Sequence, residues 1–167
     1  MRPEDMAAPQ QGSPHFRQYV HLLKRLHGFI ADGKGNSDDA NAIREELDQH
    51  IGDLSEREYR RAEGLCEDLY TLVEDEPPPS ATSVARRSRE EIVSDLSANW
   101  ERDWDRVLEL LREGASFIPI DVASYVRGRS WDDFGESEIA LLFFARASQL
   151  NSTNANLPDR CKGVLKV

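Results

Sequence analysis

Four times along this chain a serine stands immediately ahead of a run whose apolar members recur at three- and four-residue steps. The four places are Ser13-Pro14, Ser37, Ser55-Glu56-Arg57-Glu58 and Ser88-Arg89-Glu90-Glu91. A serine there accepts hydrogen bonds from backbone N–H groups that the start of a helix leaves unpaired, and Pro suits the first helical position. Glu58 and Glu91 have the spacing of the reciprocal capping box. Behind the first cap come Phe16, Tyr19, Val20, Leu23, Leu26 and Ile30, and behind the second Ala40, Ile43, Leu47 and Ile51. The third is followed by Tyr59, Ala62, Cys66, Leu69 and Val73, and the fourth by Ile92, Leu96, Trp100, Trp104, Val107, Leu108 and Leu111. This is the helical period, and no stretch sustains the alternation of a half-buried strand. The expected fold class is all-α.

Breakers divide the helices. Asp32-Gly33-Lys34-Gly35-Asn36 ends the first, its glycines permitting a left-handed turn. Pro77-Pro78-Pro79 stops the third, because consecutive prolines favour an extended, stiff spacer. The fourth set reads as two helices broken near Ala98-Asn99, and Phe117-Ile118-Pro119-Ile120 reads as a loop because a proline interrupts it. The expected organisation is a mobile tail over 1–13, a three-helix N-terminal segment over 14–75, a Pro-rich linker over 76–87 and a helical domain over 88–167. The stripe from Tyr59 to Val73 needs a cover, and helix 14–31 is the nearest candidate.

A chain of 167 residues can bury a core without metal or disulfides. Its formal charge of −10 is unevenly placed: 14 acidic and 4 basic side chains fall between Asn36 and Pro79, leaving 17 of each elsewhere. Such a balance disfavours nucleic acid, which needs clustered Lys and Arg. The acidic stretch reads as solvated helix faces, or as a docking surface for a basic partner. Met1 to Gly12 carries Glu4 and Asp5 and lacks the apolar stretch of an export signal. No window approaches a membrane span. Cys66 and Cys161 are far apart with no CxxC, so no disulfide framework is expected. A cytoplasmic protein with no membrane partner is expected.

The stretch Asp121 to Asn154 resembles a tetratricopeptide (TPR) repeat, a 34-residue pair of antiparallel helices. The resemblance rests on Gly128 with Trp131, a turn glycine at Gly135, and Ala140, Phe144 and Ala147 followed by Leu150. Ser124, Arg127 and Ser152 depart from the pattern, standing where an early aromatic, a Leu and a closing Pro are usual. Small residues let two helices approach while Trp131 and Phe144 fill the wedge between them. One repeat cannot bury its own apolar surface, so neighbouring helices must complete the stack. Trp104, Val107, Leu111 and Pro119 fit a degenerate preceding repeat, and the tail after Pro158 a terminal cap. The resemblance implies that Val122, Tyr125, Arg129 and Asp132 line a partner-binding groove. The N-terminal run from Arg25 to Tyr70 is similar to segments of uncharacterised bacterial proteins, which implies a bacterial origin and says nothing of chemistry.

Other constellations bear on chemistry. His15, His21 and His27 are six residues apart, about 240° of helix rotation each, and cannot converge on one metal from a single helix. Asp32, Asn36 and Asp38 lack the turn Gly and bidentate Glu of a calcium loop. Gly33-Lys34-Gly35 lacks the leading Gly and trailing hydroxyl of a phosphate loop. Arg44 and His50, five residues between them, resemble the R-x(4–6)-H signature of HEPN ribonucleases, which implies an RNA-cleaving pair. The expected function is a non-catalytic protein–protein interaction module that takes a protein or peptide partner, with no cofactor and no metal. A HEPN-type ribonuclease and a self-associating structural protein, as a homo-oligomer, are the alternatives.

Overall fold

The computed structural model of the chain describes residues 12–72, 87–151 and 155–167. Most of the expected tail over 1–13, Val73, nearly all of the expected linker over 76–87, and Ser152 lie outside the described residues. Within them the fold is all-α, eight helices and no strand. They are α1 (Pro14–Ala31), α2 (Asp38–His50), α3 (Glu56–Tyr70), α4 (Arg89–Asn99), α5 (Trp104–Glu113), α6 (Ile120–Asp133), α7 (Ser137–Leu150) and α8 (Leu157–Leu165). A single 3-10 turn, Ile51–Asp53, joins α2 to α3. The chain divides into two compact units: Met1–Val73 with Asp133–Glu136, and Glu74–Asp132 with Ser137–Val167.

All four serines cap as expected. The side chains of Ser13, Ser37, Ser55 and Ser88 accept from the backbone N–H groups of Phe16, Ala40, Glu58 and Glu91 at 3.1–3.2 Å. At Ser55 the box is reciprocal, since the Ser55 N–H donates to Glu58 Oε1 at 3.2 Å. The fourth set of apolar residues is indeed two helices. Asp103 caps the second, accepting from the Arg106 N–H, and Glu101 takes a left-handed φ of 61° in the turn between them.

In the first unit α1 packs against both α2 and α3. Phe16, Val20, Leu23, Ala40, Ile43, Leu47, Ala62, Leu65 and Leu69 are all buried there. Two expectations are corrected. Ile51, placed inward by spacing alone, is 38% exposed, because the helix has already given way to the 3-10 turn. On α3 the buried face is rotated from the expected stripe: Tyr59 and Cys66 are exposed, while Arg61, Leu65 and Asp68 are buried beside Ala62 and Leu69. Arg61 is accommodated by rings. Its guanidinium carbon lies 3.6 Å from the centre of Phe134 and 5.7 Å from that of Phe16, all within this unit, and a guanidinium over an aromatic face is attracted by the ring quadrupole.

In the second unit α4 packs against α5 and α8. The three-residue turn Phe134-Gly135-Glu136, which is grouped with the first unit, joins α6 to α7, and Gly135 takes a φ of 85° there that disfavours any side chain. Trp131, Phe143, Ala140 and Ala147 are fully or almost fully buried. A Cβ on Gly128 would lie 2.6 Å from the Phe144 ring, so only glycine lets the ring sit there. Ser124 and Arg127 are also buried.

Candidate functional site

α6 is enclosed along most of its length. From Asp121 to Trp131 only Tyr125 and Arg129 escape full burial, and Asp132 beyond them is exposed. Val122 is 0% exposed and packs the interior, so it offers no surface to a partner. Three of the four positions marked in the sequence therefore share one accessible strip, at the three- and four-residue steps that return to the same helix face.

The strip is bordered by aromatic side chains. The Tyr125 and Phe144 rings lie 5.8 Å apart, tilted by 50°. The Arg129 guanidinium carbon is 5.7 Å from the centre of Trp100 and 5.4 Å from that of Trp104, and these two indoles meet edge to face at 5.2 Å. Arg129 Nη2 donates to Glu101 Oε1 at 3.0 Å. Glu101 is the residue held in a left-handed conformation, which costs an L-residue on the order of 1–2 kcal/mol, so the turn sets its carboxylate beside Arg129 at some expense. By spacing, Trp100 and Trp104 belong to the apolar run behind Ser88. Their second role follows from the helix break at Asp103, which turns both rings toward α6 and leaves Trp100 only half-buried.

Below the strip, Arg160 of α8 donates to both carboxylate oxygens of Asp121 at 2.7 and 3.1 Å. Burial alone would raise the Asp121 carboxyl, but the hydrogen bonds and charge of Arg160 prevail and hold it below its ordinary value. Burial, reinforced by Asp121, pushes the Cys161 thiol up to about 12. It therefore stays protonated at neutral pH and is a poor nucleophile. Partial burial also raises the Tyr125 hydroxyl, against a lowering by Arg129. Chemically the strip offers a phenol that remains a donor, a planar cation and indole faces. These suit recognition.

Arg44 and His50 both lie on α2, about 120° apart around the helix. Arg44 Nη1 donates to the Gly35 carbonyl at 2.6 Å and to Asn41 Oδ1 at 2.9 Å, tying the α1–α2 turn to the helix that follows it. His50 instead comes beside His15 and Asp53. No single-helix spacing shows that grouping, since its members come from α1, α2 and the 3-10 turn. Among the described residues no helix is long and apolar enough to cross a membrane.

The chain matches no family model, and comparison with curated proteins and with solved structures returns no significant match.

Proposed function

We propose that the chain is a protein-binding module without catalytic chemistry, which holds a peptide or helix along the Tyr125–Arg129–Asp132 strip of α6 in the manner of a TPR-like surface. The observation that carries this reading is the near-complete enclosure of α6. A helix buried on its other sides leaves one strip to face outward, and here that strip joins a Tyr and an Arg beside half-buried Trp100. Tyr, Trp and Arg dominate the energetics of protein interfaces because they bury large area while keeping a polar contact. The close approach at Gly128 and the burial of Trp131 support the TPR-like arrangement. The fold likeness itself is an analogy. The acidic stretch between Asn36 and Pro79 favours partners with basic segments.

The test is recovery of partners from cells of the source organism with the wild-type chain and with the Tyr125→Ala/Arg129→Ala variant as bait. Both side chains are partly exposed, so the variant is expected to fold. Recovery should fall at least about tenfold, the loss of roughly one interface hot spot. Equal recovery with the two baits rejects the strip.

A further inference from the structure

We propose that His15, His50 and Asp53 form a binding site for a divalent transition-metal ion of the zinc class, which clips the start of α1 to the corner where α2 ends. One ligand atom from each residue lies within 4.8 Å of the other two. His15 Nδ1 stands 3.9 Å from Asp53 Oδ2, and the His15 and His50 rings are 6.5 Å apart between centres. Donors around a tetrahedral zinc ion lie about 3.3 Å from one another, given metal–ligand distances near 2.0–2.2 Å. The side chains of His15 and Asp53 are 58% and 54% exposed, so small rotamer changes bring the donors to that spacing without disturbing the core.

The backbones that carry these ligands are already fastened together. Ser13, two residues before His15, donates from its N–H and its hydroxyl to Glu58 Oε2 at 3.0 and 2.7 Å. Ser55, two residues after Asp53, donates its N–H to the other oxygen of the same carboxylate. Glu58 thus anchors both segments independently of any ion, and a site whose parts are held in place loses less entropy when it is filled. The donor chemistry selects the class of ion. Two imidazoles and a carboxylate suit zinc, cobalt or nickel, whereas calcium and magnesium want oxygen donors. The acid-rich sequence around His50 and Asp53 raises the local concentration of cations of any kind. Three protein donors leave a coordination position for water.

The experiment uses the full chain, stripped of metal by a chelator and dialysed, then titrated with Zn2+ in a calorimeter. One ion per chain should bind saturably and raise the melting temperature, because an ion that binds only the folded state stabilises it. His15→Ala and His50→Ala should each weaken binding at least about tenfold, a loss of the size that even outer-shell changes produce at metal sites. His21→Ala, an exposed histidine on the same helix, should not. A second measurement needs no variant: diamagnetic Zn2+ added to the wild-type chain should move the ring signals of His15 and His50 and leave those of His21 and His27 in place. No saturable binding, affinity that survives both substitutions, or Zn2+ shifts spread equally over all four histidines each overturn the proposal.

Discussion

In the first unit two helix starts are joined by a carboxylate. Glu58 accepts from the N–H and hydroxyl of Ser13 at the head of α1 and from the N–H of Ser55 at the head of α3. In the second unit α6 meets α7 through shape, with Phe144 seated in the space that Gly128 leaves open and Trp131 fully buried nearby. The first kind of junction depends on a charge and hence on pH. The second depends on volume and hence on single methyl groups. The same number of atoms changed should therefore have unlike consequences in the two units.

The largest effect is expected from Trp131→Ala, which empties a fully buried site and should cost about 3–5 kcal/mol in urea unfolding. A loss under about 1 kcal/mol would mean that shape is not what holds the second unit. Gly128→Ala adds only one methyl, yet it would drive that methyl into the Phe144 ring and should cost about 1–3 kcal/mol. Phe144→Leu in the same chain should return part of that loss, since the two positions share one space, and a purely additive double variant would break the account. All three tryptophans, Trp100, Trp104 and Trp131, belong to the second unit, so indole fluorescence reads it selectively in the Gly128 variants.

Glu58→Gln tests the other junction and should cost about 1 kcal/mol near neutral pH, as helix-cap losses do. Burial on its own would raise the Glu58 carboxyl, but the hydrogen bonds from Ser13 and Ser55 outweigh it and hold the group below its ordinary 4.5. A depressed carboxyl stabilises the folded state above the ordinary value, and that stabilisation is lost as pH falls through the folded-state value. The gap between wild type and Glu58→Gln should accordingly narrow once the pH drops below 4.5, when measured by chemical unfolding across a pH series. A gap that stays constant into strong acid would show that the carboxylate charge is not what joins Ser13 to Ser55.

The helix starts were legible because each is a local matter: a serine, the N–H three residues on, and at Ser55 a glutamate that answers it. The role of Gly128 was legible for a different reason, since a small residue near a Trp has few uses other than close packing. On α3 the reading failed. Tyr59, Ala62, Cys66 and Leu69 make a sound stripe by spacing, but Ala62 and Leu69 also belong to the face that carries Arg61, Leu65 and Asp68. Choosing between those faces needs the rings of Phe16 and Phe134, which are remote from Arg61 in sequence. The same distance hid half of each candidate site. Tyr125 and Arg129 could be marked from the repeat pattern, but not the indoles and carboxylate that border them. His15 and His50 stand on different helices, so no single-helix periodicity could pair them.

What the amino-acid order settled by itself is the inventory of rods and where each begins, because capping bonds and the 3.6-residue period act within one or two turns. Which side of a rod turns inward, and which polar groups end up as neighbours, was decided only when the rods packed. Burying a guanidinium, or drawing two imidazoles to one carboxylate, depends on atoms that the chain delivers from far away. Their energies exist only at contact.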